Sequence, residues 1–310
     1  MNGTELITYL TTNAPTLITA VGPVVGAILT AVFLRNNTAT TEFEKVKSGK
    51  FDEVIEDLLT SGQMTYTEFY KAKNFLKIAK KADEHYSHTH KTEEFNTFDF
   101  DWFIRYYEAA SNISDENMQE IWAKILAGEV RNPSAFSLRI IDVLRNMRKV
   151  DAELFIKICK HSFDKGSGEL FLPNYDKYLD SCGITYSDVM RLSEMGLIFN
   201  DALITINFDI TPNPAIIFIN GSLMMTIASH KEAEKSGSIK QYPFTKVGQE
   251  LATLVSECSS DEDFLEFGKN ISESEKYKVS IHRIIQFEEG GIRHELVNLL
   301  EPLLEKTTDN

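Results

Sequence analysis

The pattern of apolar and polar positions changes regime twice along the chain. From Pro15 to Leu34 (PTLITAVGPVVGAILTAVFL) twenty residues carry no charge and only three polar side chains, Thr16, Thr19 and Thr30. As a helix this stretch rises about 30 Å, roughly the hydrocarbon thickness of a bilayer. A single N-terminal transmembrane helix within residues 1–35 is therefore expected. Gly22 and Gly26 share one face of such a helix and allow close backbone approach. Ala27, Thr30 and Ala31 extend the small-residue seam, and Pro23 predicts a kink. These six residues are the expected membrane and self-association site. A helix buried inside a soluble oligomer is the alternative.

From residue 36 to residue 150 the spacing is helical. Phe51, Val54, Ile55, Leu58 and Leu59 recur at three and four residues, up to Ser61-Gly62. Thr65 to Glu68 has the form of a capping box. The helix after it buries Phe69, Ala72, Phe75, Leu76 and Ala79 and turns Lys71, Lys77, Lys80 and Lys81 outward. Aromatics crowd Phe95 to Tyr107, with Asp99 or Asp101 available as a cap. This cluster predicts a packed core, and Trp102, Tyr106 and Tyr107 are candidates for a partner-binding surface. Ser114 is expected to open the next helix and Gly128 to end it. A further helix then carries Leu138, Ile141, Leu144 and Met147. Arg139, Arg145 and Arg148 lie in the most basic local run and complete the candidate partner-binding set.

From Asp151 to residue 310 helices give way to mixed patterns. DAELFIKICKH and TYSDVMRLSEMG read as helices. Leu203–Ile206, Ala215–Ile219 and Leu223–Ile227 read as strands, with Asn220-Gly221 a hairpin turn. KYKVSIHRIIQF alternates as a strand, and IRHELVNLLEPLL reads as a last helix. The succession resembles a winged-helix fold, in which MGLI leads into wing strands and FTKVGQELATLV closes the domain. The expected fold class is thus mainly α with a smaller α+β winged-helix-like C-terminal part behind a single transmembrane helix.

Charge changes the picture in two places. Glu5 upstream of the apolar stretch, with no Lys or Arg, does not read as a cleaved signal. Arg35, Lys45, Lys47 and Lys50 downstream place the C-terminal body on the cytoplasmic side of a bacterial inner membrane. The net charge of −14 argues against nonspecific nucleic-acid binding, which requires cations facing phosphates. The candidate recognition helix carries one arginine, Arg191, between Asp188 and Glu194, so a protein-contacting winged helix is expected over a DNA reader.

Candidate chemistry is sparse. The three cysteines, Cys159, Cys182 and Cys258, lack CxxC spacing and read as buried thiols of a reducing compartment. His85, His88 and His90 cluster in HYSHTH, but the segment reads as a loop with no cysteine nearby. His282 and His294 read as isolated structural histidines. No Walker loop, GxSxG elbow or HExxH motif is present. No catalytic residue, metal site or cofactor is expected, and the chain does not read as an enzyme.

The run SDENMQEIWAKILAGEVRNPSAFSLRIIDVLRNM, with NNTATTEFEKVKSGKF and MTYTEFYKAKNFLKIAKKADE, resembles a bacterial domain-of-unknown-function family over roughly the first half of the chain. Occurrence of that family in defence islands and prophages implies anti-phage abortive infection. A further resemblance is to membrane effectors that assemble pores on ring-shaped phage proteins. The implied function is a membrane-anchored effector whose cytosolic body senses a phage protein, itself multimeric in the natural case. Its N-terminal helices would then homo-oligomerise and permeabilise the lipid bilayer. The alternatives are a membrane-tethered winged-helix regulator that binds nucleic acid, or a membrane scaffold without toxicity.

Overall fold

The computed structural model describes residues 59–60, 62, 65–87, 99–209, 216–229, 236–255, 260–273, 277–288 and 291–297. They divide into two compact units, the first ending at Asn146 and the second beginning at Met147.

The first unit is helical: α1 (Tyr66–Ser87), α2 (Phe100–Ala110), α3 (Glu116–Arg131) and α4 (Leu138–Asn146). Local chemistry sets where three of them begin. Ahead of α1, Thr65 N–H donates to Glu68 Oε2 at 2.8 Å and Glu68 N–H to Thr65 Oγ1 at 3.3 Å, a reciprocal capping box. Asp99 caps α2 by accepting from the amides of Asp101 and Trp102. Asp115, not Ser114, caps α3, accepting from Asn117 and Met118, each at 3.0 Å. A carboxylate is the stronger acceptor at the positive end of a helix.

Gly128 does not end α3, which continues to Arg131. A Cβ at Gly128 would lie 2.6 Å from Phe136 Cε2, so this glycine admits a ring against the helix. Beyond α3, Ser134 turns the chain with φ +69°. The buried Glu129 carboxylate holds that turn, accepting from Ser134 N–H at 2.6 Å and Phe136 N–H at 3.0 Å.

The core of this unit is aromatic. Trp102 stacks on Tyr106 at 5.1 Å with 13° between planes, and Tyr106 meets Trp122 at 5.3 Å. Such pairs contribute about 0.5–1.5 kcal/mol each beyond their burial. Two of the three polar ring groups are satisfied inside, with Tyr106 OH donating to Trp122 O at 2.6 Å and Trp102 Nε1 to Phe136 O at 2.9 Å, whereas the buried Trp122 Nε1 has no hydrogen-bond partner among the described residues.

The second unit joins five helices to one sheet. In chain order these are α5 (Lys149–Lys160), β1 (Phe163–Asp164), β2 (Leu170–Pro173), α6 (Asp176–Ser181), α7 (Tyr186–Glu194), β3 (Thr205–Asp209), β4 (Ile216–Asn220) and β5 (Leu223–Ser229). Then come β6 (Ser236–Pro243), α8 (Lys246–Ala252), α9 (Asp261–Ser272), β7 (Tyr277–Glu288) and β8 (Gly291–Val297). The strands form an eight-stranded sheet in the order β3-β6-β2-β1-β4-β5-β7-β8, and each neighbouring pair is antiparallel.

This sheet overturns the expected fold class. The chain is not mainly α with a small winged-helix part. Helices α5 and α7 and strands β3, β4, β5 and β7 overlap the segments expected to form them, but the unexpected strands β1, β2, β6 and β8 join those strands in one eight-stranded sheet. The segment IRHELVNLLEPLL does not begin as a helix. Its first six residues, together with the preceding Gly291, form β8, paired along β7 from Glu288↔Gly291 to Ile281↔Val297. Ile292 and Leu296 are four apart and fit a helix equally well, so pairing with β7, not periodicity, decides the element.

Among the described residues no helix is long and apolar enough to cross a membrane. The transmembrane expectation concerned residues 15–34, which lie outside the described residues.

Phe267 of α9 organises the core over the middle strands. Its ring lies 5.3 Å from Phe163, 5.7 Å from Phe218 and 6.0 Å from Phe171, on β1, β4 and β2. Tyr178 of α6 completes the cluster at 5.9 Å. The acidic run from Ser260 onward opens α9, with Ser260 as cap and Asp261, Glu262 and Asp263 in the first turn, where negative charge favours the helix dipole. Gln249 fastens α8 to β2, donating from Nε2 to Leu170 O and accepting Leu170 N–H at Oε1, both at 3.0 Å.

Candidate functional site

Three helix ends in the second unit bring together a histidine, a cysteine and an aspartate. His161 follows the last turn of α5, Cys182 follows α6, and Asp263 stands in the first turn of α9. His161 Nδ1 lies 3.1 Å from Asp263 Oδ2. One donor atom from each of the three residues falls within 4.8 Å of the other two, and all three side chains are half-buried.

The frame around them is fixed by hydrogen bonds. Tyr178 OH donates to His161 O at 2.9 Å, and Ser260 Oγ accepts Asp263 N–H at 3.1 Å. Lys157 Nζ donates to Gly183 O, the residue after Cys182.

Burial pushes the Cys182 thiol up, and the nearby Asp263 charge adds to it, against hydrogen bonds from Ser181 and Tyr178. A thiol held protonated is a poor nucleophile by itself. Imidazole, thiolate and carboxylate together instead make the donor set of a borderline divalent metal ion.

A second polar centre is structural. Asp151, in the first turn of α5, is 4% exposed. It accepts from Arg148 N–H at 2.9 Å, Arg148 Nε at 3.2 Å and Arg191 Nε at 2.6 Å. Burial works against its charge, but the Arg148 amide and the two guanidinium groups prevail and hold the carboxyl below its ordinary value. Arg191, the one arginine of α7, is thereby turned onto α5 and away from the role of a phosphate contact.

The residues expected to bind partners are dispersed. Gly22, Pro23, Gly26, Ala27, Thr30 and Ala31 lie outside the described residues. Trp102 and Tyr106 are 3% and 0% exposed, so they are core and leave no ring face for a partner. Tyr107 is half-buried against Phe75, at 4.9 Å. Arg139 and Arg145 are exposed on α4 of the first unit, whereas Arg148 belongs to the second unit and pairs with Asp151.

His85 is not in a loop. It occupies the last turn of α1 and contacts Glu120, which also accepts from Lys81 Nζ at 3.2 Å. His88 and His90 lie outside the described residues. His282 and His294 are not isolated but face each other across β7 and β8, ring centres 4.5 Å apart. Burial and then the neighbouring His294 lower the basicity of His282. Of the cysteines, Cys159 is buried and Cys182 half-buried, and Cys258 lies outside the described residues.

Sequence reasoning passed over His161 and Asp263 and read Cys182 only as a buried thiol. Their positions have no ligand-motif spacing, and only the meeting of α5, α6 and α9 makes them neighbours. No curated protein matches the chain, and no solved structure matches it. Residues 62–267 match the family described as "Protein of unknown function (DUF2806)". The match takes in the SDENMQEIWAKILAGEVRNPSAFSLRIIDVLRNM run, leaves out NNTATTEFEKVKSGKF, and reaches past the first half of the chain into α9. It spans about two thirds of the chain, and the protein belongs to this family.

Proposed function

We propose that the protein is a membrane-associated effector of anti-phage defence that acts by binding another protein. The observation that supports a binding role is the outer strand pair of the sheet. On β7 and β8, Ile285, Phe287 and Leu296 are 51%, 62% and 61% exposed, while the second unit has a full aromatic core elsewhere. Large apolar side chains left outside such a core are suited to cover by a partner. β8 stands last in the sheet order, where a partner strand can add by main-chain hydrogen bonds. The sequence resemblance supplies the phage context, and the apolar segment 15–34 supplies the affinity for lipid. Binding of several copies to one multimeric phage protein would raise the local concentration of those segments at the bilayer.

The test is co-expression with individual phage proteins while membrane potential is recorded. One phage protein is expected to cause depolarisation only when this chain is present. Phe287→Asp with Leu296→Asp is expected to abolish both capture of that protein and depolarisation. Depolarisation by no phage protein, or an undiminished response in the double variant, counts against the reading.

A further inference from the structure

We propose that His161, Cys182 and Asp263 form a binding site for one divalent transition-metal ion of the zinc type, with solvent completing the coordination. The geometry is close to what such an ion requires. Two ligands on one tetrahedral zinc, each about 2.0–2.1 Å from the metal, stand about 3.3 Å apart. His161 Nδ1 and Asp263 Oδ2 stand 3.1 Å apart, and the third donor atom lies within 4.8 Å of both. An ion seated between the His161 and Asp263 atoms would draw the Cys182 sulfur toward them to reach bonding distance.

The donor set selects the class of ion. A thiolate and an imidazole favour zinc and its neighbours over magnesium or calcium, which prefer all-oxygen surroundings. Binding replaces the His161–Asp263 hydrogen bond by two metal bonds. Cys182 releases its thiol proton to solvent as the sulfur–metal bond forms, the His161 ring binds as a neutral base, and Asp263 binds as carboxylate. The ion loses coordinated waters to the three side chains and keeps a solvent position.

The supports for a metal site are already built. Tyr178 fixes the backbone at His161 from within the aromatic core, and Ser260 fixes the first turn that carries Asp263. Because the three ligands come from distant points in the sequence, the ion would clip the ends of α5, α6 and α9 together and stabilise the second unit.

The experiment uses the full-length chain, stripped with chelator and then titrated with Zn2+ or Co2+ alone. About one zinc per chain is expected after removal of free ion, with a rise in melting temperature. Cobalt is expected to give thiolate-to-metal charge-transfer absorption. Cys182→Ser should remove that absorption, and Cys182→Ser, His161→Gln and Asp263→Asn should each weaken zinc binding by about tenfold or more. His88→Ala with His90→Ala should leave binding unchanged, which separates this cluster from the histidine-rich segment. Absence of stoichiometric zinc in the parent chain overturns the proposal. So does binding that survives Cys182→Ser undiminished, or that is lost with His88 and His90. Circular dichroism of the metal-free variants confirms that each is folded before its binding is read.

Discussion

The Arg191 guanidinium donates through Nε to Asp151 Oδ1 at 2.6 Å, joining α7 to the first turn of α5 across forty positions of sequence. One buried carboxylate thus fixes the start of one helix and the placement of another.

Replacing Arg191 by Met removes the longer-range of the two guanidinium partners and is expected to cost about 1–3 kcal/mol, as for hydrogen bonds to charged groups. The pH dependence follows from the lowered carboxyl of Asp151. A carboxylate whose folded pKa is depressed stabilises the fold above its unfolded value, and that stability is lost as pH falls through the folded value. Thermal unfolding followed by far-UV circular dichroism should show a smaller loss of stability on acidification in Arg191→Met than in the parent. Equal acid sensitivity would show that the pair does not govern it.

Glu129 carries the opposite sign. Burial raises its carboxyl, the amides of Ser134 and Phe136 oppose this, and the Asp99 charge adds to it. An acid raised on folding contributes most below its unfolded value, and that contribution is lost as pH rises through the folded value. Both oxygens accept backbone N–H groups, so Glu129→Gln sets an amide NH2 against a donor. A loss of about 1–3 kcal/mol at neutral pH is expected. Both tryptophans, Trp102 and Trp122, lie in the first unit, so urea unfolding read by their fluorescence reports on it directly. Unchanged unfolding in the Gln variant would refute the dual-acceptor role.

Gly248 on α8 allows a backbone-to-backbone approach. A Cβ there would lie 2.0 Å from Leu197 O, whereas one at Gly291 meets nothing within 4 Å. Gly248→Ala is expected to cost about 1–3 kcal/mol or more, because the obstacle is main chain that cannot rotate away. Gly291→Ala is expected to stay within about 0.5 kcal/mol. Differential scanning calorimetry of the two variants makes the comparison, and equal melting temperatures would contradict it.

Tyr106→Phe removes the hydroxyl that donates to Trp122 O and keeps the ring stack. A loss of about 1 kcal/mol is expected from urea unfolding. The emission of the native state should shift as well, since Trp122 loses a polar neighbour. A variant as stable as the parent would place that hydroxyl outside the energetics of the core.

Much of the local structure is legible in the residues themselves. Thr65 and Glu68 cap α1, Asp99 caps α2, and Asn220-Gly221 turns β4 into β5, because each depends on partners two or three positions away. The boundary of α3 is less legible: Gly128 looks like a helix end, yet its missing side chain serves Phe136 instead. The candidate metal cluster is not legible at all, since nothing near His161 points to Cys182 or Asp263.

The amino-acid pattern therefore marks several helix starts, turns and the apolar character of segments, which are short-range properties of neighbouring residues. Tertiary structure decides what pairing and packing alone can decide. It makes Gly291–Val297 a strand by laying it along β7, and it joins wing-like strands into an eight-stranded sheet. It also seals Trp102 and Tyr106 in a core and turns Arg191 toward Asp151. The physical reason is the same in each case: the deciding partner lies far away in sequence, and its position exists only once the chain has folded.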